Sequence, residues 1–233
     1  MGVVVPAVLP VSQEDLREKL DRFTRIPSVS RIQIDVVDGK FATPASWPYS
    51  APEELRLMCA RGEMLPEQDR IEYEIDLMCL DAERAAGDWL ALGASRLTFH
   101  AESAIDLQRF LASAALRYGE DVISFGLALN IASDLALIES SLAQIEYVQF
   151  MGIATIGRQG QPFDRRVLEK VRLFHSRHPD IPVQVDGGVS LDTARELLAL
   201  GVSTLIIGSS LLRASDPEAQ VANFEALQSP YGV

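Results

Sequence analysis

The chain reads as an α/β protein, a single (β/α)8 TIM barrel with a parallel eight-stranded sheet, with residues 1–233 forming one domain. Three observations predict it. Short apolar runs recur along the chain, and eight of them read as strands. Almost every run is followed by an amphipathic stretch with its own start or stop signal. No linker or shift in composition divides the 233 residues, a length that suits one large domain. A doubly wound open sheet also alternates strand and helix. That fold usually carries a glycine-rich phosphate loop after its first strand, whereas here Pro10-Val11-Ser12 follows.

The first strand is Val3–Leu9. The apolar segment Gly2–Pro10 is short and precedes the first basic residue, Arg17, so it reads as a strand and not as a signal peptide. Ser12 caps a helix running to about Phe23. Strand two is Ile32–Val37. The Pro-rich stretch Ala42–Pro52, carrying Trp47 and Tyr49, leads into a weaker helix over Ala51–Ala60; it suits a specificity loop or a subunit contact. Strand three is Ile71–Met78, followed by a helix capped by Asp81 and stopped at Gly93. Strand four, Arg96–His100, precedes a helix capped by Ser103 and ending near Tyr118-Gly119. Strand five is Ser124–Leu129, with a helix from Ser133 to about Ala143. Strand six, Tyr147–Met151, leads through a glycine-rich loop to a helix over Phe163–His178, halted by Pro179. Strand seven is Ile181–Val185, with a helix over Ser190–Leu200 ending at Gly201. Strand eight is Thr204–Ile207, and Ser215-Asp216-Pro217-Glu218 starts the last helix. Several of these strands are continuously apolar, as strands buried on both faces are.

Composition removes several function classes. Lys and Arg number 21 against 33 Asp and Glu, a net charge of −12, with no basic block for nucleic acid or an anionic membrane. No apolar run reaches the roughly 18 residues of a membrane span. Two cysteines, Cys59 and Cys79, cannot build a disulfide framework or a thiolate zinc site. The expectation is a cytoplasmic homo-oligomer acting on a small molecule. An acidic protein still binds a phosphate where backbone N–H groups converge.

In a barrel, chemistry sits at the C-terminal strand ends and in the loops that follow. Strand two ends Gln33-Ile34-Asp35-Val36-Val37-Asp38-Gly39, and alternation puts Gln33, Asp35 and Val37 on one face. A carboxylate inside an apolar strand is costly unless paired, ligated or catalytic, which singles out Asp35 and, on strand three, Asp76. Asp38 before Gly39 reads as turn chemistry. Strand seven ends Asp186-Gly187-Gly188 and strand eight ends Gly208-Ser209, neighbouring small-residue turns suited to a phosphate. His100 is the one histidine near a strand tip; it suits a site residue and a structural one equally. The segment Met151–Phe163, with Gly160, Arg158 and two Gln, reads as a lid with phosphate donors or as a plain mobile loop.

These turns resemble the ribulose-phosphate 3-epimerase family. The family pattern His-x-Asp-x-Met-Asp-Gly-x-Phe reads here as Gln33-Ile34-Asp35-Val36-Val37-Asp38-Gly39-Lys40-Phe41. Its His-Leu-Met reads as Asp76-Leu77-Met78, its His-x-Glu as His100-Ala101-Glu102 and its Ala-Leu-Asn as Ala128-Leu129-Asn130. Its Val-Asp-Gly-Gly and Gly-Ser stand as Val185–Gly188 and Gly208-Ser209. The resemblance implies an isomerase of pentose phosphate metabolism that moves a proton at C3 of a ketopentose or ketohexose phosphate through an enediolate. Asp35 and Asp186 are then acid and base. Gly160, Gly187, Gly188, Gly208 and Ser209 hold the phosphate, and His100, Met151 and Asn130 line the substrate pocket.

The departures concern the metal. The family's two histidine ligands are Gln33 and Asp76 here, its strand-one Ser is Ala7, and the Asn-Pro-Gly start of its strand-six loop is missing. A ligand set of Gln33, Asp35, Asp76 and Asp186 is all oxygen and suits Mg²⁺ or Mn²⁺ better than Zn²⁺. The alternatives are a metal-free site with Lys40 or Arg158 as the cation, a barrel that binds a phosphosugar without turning it over, and another isomerase or lyase of the same superfamily. The related decarboxylases place Asp-x-Lys-x-x-Asp after strand three; here Met78 stands in place of the Lys between Asp76 and Asp81.

Overall fold

The structure, a computed structural model, describes residues 3–119 and 122–227. Gly2, placed at the start of the first apolar segment, lies outside the described residues. Eight strands close into one barrel in chain order, each parallel to the next and β8 pairing with β1. They are β1 Val3–Val8, β2 Arg31–Val37, β3 Glu72–Met78, β4 Arg96–His100, β5 Ser124–Leu129, β6 Tyr147–Met151, β7 Val183–Asp186 and β8 Thr204–Ile207. The helices outside them are α1 Gln13–Thr24, α2 Pro52–Ala60, α3 Ala82–Ala91, α4 Leu107–Tyr118, α5 Ala136–Glu139, α6 Arg166–Arg177, α7 Leu191–Ala199, α8 Ser209–Leu212 and α9 Pro217–Ala226. The predicted barrel is therefore the observed fold.

The outward strand residues pack under these helices in one large apolar shell, with Phe23, Trp47, Trp89, Phe150 and Phe174 fully buried in it. The inward residues follow the two-residue alternation, and many are polar. Gln33, Asp35, Glu74, Asp76, Thr98, His100, Gln149, Gln184 and Asp186 are all buried. Register fixes their heights. Asp35 stands beside Asp76, Gln33 beside Glu74, and Gln149 beside Gln184.

Local signals set most boundaries. Ser12 accepts from the Asp15 N–H at the start of α1, and Ser190 forms a reciprocal capping box with Thr193 at α7. Five expectations move. The cap of α4 is Asp106 and not Ser103, whose hydroxyl instead donates to the His100 carbonyl in a short 3₁₀ turn. Asp216, not Ser215, caps α9 by accepting from the Ala219 N–H. The helix expected from Ser133 shrinks to α5 and a 3₁₀ turn over Leu142–Gln144. Strand seven runs two residues later at its start and one at its end, which carries Asp186 into the sheet beside Met151. Asp81 precedes α3 without capping it, because its carboxylate is taken by the Tyr49 hydroxyl and Arg84.

The Pro-rich loop is tied down. Ser46 Oγ accepts from the Val37 N–H at 2.9 Å, and Trp47 packs edge-on against Trp89 and donates its indole N–H to Glu54. It seals the barrel between β2 and α3. Among the described residues, no helix is long and apolar enough to cross a membrane.

Candidate active site

Three strand tips bring three acids to one place. Asp35 stands on the inward face of β2 two residues before its end at Val37, Asp76 likewise on β3 before Met78, and Asp186 ends the inward face of β7. One oxygen from each lies within 4.8 Å of the other two. That separation is inside what a common ligand requires, so these sequence-selected carboxylates do converge. Asp35 and Asp186 line a cleft of about 510 Å³, and Asp76, fully buried, is not among the residues lining it. Asp35, Met78, Met151 and Asp186 line its depth, and the turns with Gly160, Gly187, Gly188, Gly208 and Ser209 line its side. Val37, Ala42 and Met78, with Phe41, Ile156 and Leu9, form an apolar lip.

The electrostatics of this cluster are unbalanced. Burial, and then the negative field of Asp76, push the Asp35 carboxyl well above the usual carboxylate range. Burial, then Asp35 and Asp76, do the same to Asp186. The two titrate as a pair that resists full ionisation. Gln33 supplies one compensating bond, donating its Nε2 to Asp35 Oδ1 at 2.9 Å. This orientation leaves Gln33 Oε1 buried and without a partner. Three carboxylates and an unpaired amide oxygen, with no thiolate in the cluster, form an oxygen donor set that fits a divalent cation of the Mg²⁺ or Mn²⁺ type. Arg158 is the one cationic residue among those lining the cleft, and its Nε is given to the Thr43 carbonyl.

The glycine turns do the close-packing that side chains would prevent. Gly188 has φ +69°, and a Cβ there would stand 2.6 Å from the Phe163 Cα. Gly208 leaves room for the Gln159 carboxamide, whose Nε2 would be 2.7 Å from a Cβ at that position. Gln159 Nε2 donates to the Ala7 carbonyl at 3.2 Å. The loop between β6 and α6 therefore lies over the cleft, pinned to β1 by Gln159 and to the β2 loop by Arg158.

Other sequence-selected residues fall elsewhere. Asp38 is turn chemistry: its Oδ1 accepts from the N–H groups of Lys40 and Phe41, its Oδ2 from that of Leu80. Met151 lines the cleft. His100 stands behind Asp76, its Nε2 3.0 Å from Asp76 Oδ1 and its ring against Phe41. Asn130 lies at the end of β5, its N–H given to Glu102 and its carbonyl accepting from Lys170. Neither His100 nor Asn130 is among the residues lining the cleft.

Sequence reading missed Glu74, Gln149 and Gln184. All three were detectable by the rule that found Asp35 and Asp76, since each is a polar residue at an inward position of an apolar strand. Gln159, expected as one of two Gln in the loop after strand six, lines the cleft.

Comparison with known proteins gives the family and the fold. The model of the Ribulose-phosphate 3 epimerase family matches residues 3–212. A ribulose-phosphate 3-epimerase of Aquifex aeolicus is 23% identical over 231 residues, covering 97% of each chain. That of Mycobacterium leprae is 26% identical, covering 94% of this chain and 92% of its own. Among solved structures, 3-hexulose-6-phosphate synthase from Salmonella typhimurium superposes with a TM-score of 0.69 at 14% identity, with 98% of each chain covered. KGPDC from Streptococcus mutans, solved in complex with a phosphosugar, gives a TM-score of 0.70 at 16% identity over 97% of this chain and 96% of its own. By the extent of the family match and by the order of its strand-tip residues, this chain belongs to the ribulose-phosphate 3 epimerase family.

Proposed function

We propose that this protein is a ketose-phosphate 3-epimerase, interconverting D-ribulose 5-phosphate and D-xylulose 5-phosphate by proton transfer at C3. The observation that carries the reading is the buried Asp35/Asp186 pair, with both carboxyls pushed up, beside a glycine-lined cup. Epimerisation needs one group to remove a proton from one face of the carbon and a second to return one to the other face. Two acids that resist joint ionisation supply both: one is a carboxylate base while its partner holds a proton. Removal of the C3 proton by one Asp leaves an enediolate, and the proton on the other Asp closes the opposite face. The roles exchange for the reverse reaction.

The phosphate lies against the turns at Gly187-Gly188 and Gly208-Ser209, with Gly160 and the rest of the β6 loop closing over it. Asp35, Asp76, Asp186 and Gln33 Oε1 would hold a divalent cation. When bound, that ion supplies positive charge against the carboxylates and the developing negative charge. Cys59 and Cys79 are free thiols, in keeping with a cytoplasmic enzyme.

Proton NMR in D₂O tests the reading, with the purified protein, D-ribulose 5-phosphate, and chelator or added Mg²⁺, Mn²⁺ or Zn²⁺. The expected result is deuterium entry at C3 with formation of xylulose 5-phosphate, fastest with Mg²⁺ or Mn²⁺ and lost in Asp35→Asn and Asp186→Asn. Binding of the sugar phosphate without exchange under any metal would show a barrel that keeps its phosphate cup and lacks this chemistry.

A further inference from the structure

Asp76 differs from the other two acids of the cluster in how it is held. Asp35 takes one bond, from its strand neighbour Gln33. Asp76 is gripped on both oxygens, by the adjacent strand β4 on one and from across the barrel on the other. His100 Nε2 is 3.0 Å from Oδ1, and Gln149 Nε2 donates to Oδ2 at 2.8 Å. Both Asp76 and Gln149 are 0% exposed.

The grip continues below. Gln184 donates its Nε2 to Gln149 Oε1 at 2.7 Å and also to Glu74 Oε1. Thr98 Oγ1 donates to Glu74 Oε1 at 2.8 Å. Arg96 Nε donates to Glu74 Oε2 at 3.2 Å, and Arg31 approaches that oxygen at 4.0 Å. The direction of every amide in this line follows from its ends. Glu74 is an acceptor, so Gln184 must turn its N–H₂ toward it. Both hydrogens of that N–H₂ are then used, one on Glu74 and one on Gln149 Oε1. Gln149 is left with its own N–H₂ facing Asp76. A polar line thus runs from the arginines at the floor of the barrel to one acid at its mouth.

We propose that Gln149, backed by Gln184 and Glu74, is a positioning residue that presets Asp76 as a cation ligand. This inference rests on the divalent-cation reading given above. It assigns unequal roles to the three acids. Asp35 and Asp186 share only Gln33 as a side-chain hydrogen-bonding neighbour and move protons. Asp76 is immobilised, with one of its oxygens within 4.8 Å of an oxygen of each of the other two acids. Partners that orient a ligating carboxylate are worth about 10- to 100-fold in metal affinity. Such partners also lower the entropy that the ligand side chain loses when it binds.

The test is titration calorimetry of the full-length protein with Mn²⁺, comparing wild type with Gln149→Leu and Gln184→Leu. Near-ultraviolet circular dichroism monitors packing. Gln149→Leu removes the donor to Asp76 Oδ2 and is expected to weaken Mn²⁺ binding about 10- to 100-fold. Gln184→Leu touches neither Asp76 nor the cleft. It frees Gln149 at one end and is expected to weaken Mn²⁺ about threefold, a loss that a merely structural role for Gln184 would not produce in a folded variant. A folded Gln149→Leu protein that binds Mn²⁺ as tightly as wild type overturns the inference alone. If Gln149→Leu does not fold, unchanged Mn²⁺ affinity in Gln184→Leu overturns it. Wild-type protein that binds neither Mn²⁺ nor Mg²⁺ overturns the cation reading, and this inference with it.

Discussion

The floor and the mouth of this barrel both bury carboxylates, and strand β3 supplies one to each. Glu74 points into the floor and Asp76, two residues on, into the mouth. At the floor the account closes inside the protein. Glu74 accepts from Thr98 and Gln184 on one oxygen and from Arg96 on the other, with Arg31 nearby. The Tyr147 hydroxyl meets Thr98 at 2.8 Å, and Arg96 lies over the Tyr147 ring. At the mouth three acids meet with no ammonium or guanidinium of the described residues bonded to them, and a buried amide oxygen is left over. A buried charge is tolerable when it is paired and hydrogen-bonded. The floor satisfies that condition by folding alone, and the mouth satisfies it only when a ligand or a proton arrives.

The comparison breaks first if the mouth acids prove dispensable. Asp35→Asn or Asp186→Asn is expected to lower kcat for ribulose 5-phosphate epimerisation by about 10³-fold or more, since each removes one of two proton-transfer groups. The same substitutions should raise the thermal midpoint of the metal-free protein, because an amide replaces an acid that the fold resists ionising. Coupled-assay kinetics and differential scanning calorimetry check the two halves. A variant that loses activity and stability together would mean that the mouth is built like the floor.

The floor should respond in the opposite way. Glu74→Leu leaves Arg96 without its acceptor and Gln184 with an idle donor, while Arg31 keeps its bond to Glu72. Breaking a buried pair by removing one partner costs about 3–5 kcal/mol. Urea denaturation should show that loss.

How much of this could be read in the residues follows from periodicity. The barrel follows from the recurring strand and helix pattern, and Asp35 and Asp76 were legible because a carboxylate is conspicuous inside an apolar strand, Asp186 because it stands at a strand tip before two glycines. Turn chemistry disclosed the glycine cup and the role of Asp38. Helix caps were less secure where two cap-capable residues stand close, as Ser103 and Asp106 do, because the tertiary position of the preceding strand end decides between them. Partners across the barrel, such as Gln149 for Asp76, need closure of the sheet. Residue separations of 73 and 110 in these bonds have no local signature.

A pH series sharpens the contrast at smaller cost. Asp35 and Asp186 have carboxyls raised by burial and by neighbouring acids. Above about pH 4, the ordinary Asp value, the unfolded chain loses these protons while the native state keeps them. The native state then binds more protons, so stability falls as pH rises, until the folded carboxyls themselves ionise. The slope is about 1.4 kcal/mol per pH unit for each proton of difference. Denaturation midpoints of the metal-free protein should therefore decline as pH rises above about 5. The decline should shrink in Asp186→Asn and with Mn²⁺ present. A flat profile in the metal-free wild type would mean that the mouth holds no excess of protons.

Gln159 gives the smallest effect and the finest distinction. Its side chain belongs to the lid, yet in this structure it is satisfied internally, with one N–H given to the Ala7 carbonyl beside the Gly208 turn. A ligand whose phosphate enters that turn meets the same carboxamide, so Gln159 exchanges a protein acceptor for a ligand acceptor as the cup fills. The number of hydrogen bonds is unchanged, and the gain, roughly 1 kcal/mol, comes from replacing a neutral carbonyl by a charged phosphate acceptor. Gln159→Ala is expected to raise KM about fivefold and to leave kcat within about twofold, because the residue touches neither proton-transferring acid. A fall in kcat at unchanged KM would instead place the lid in the transition state, and the division between a phosphate-holding rim and an acid-bearing depth would no longer hold.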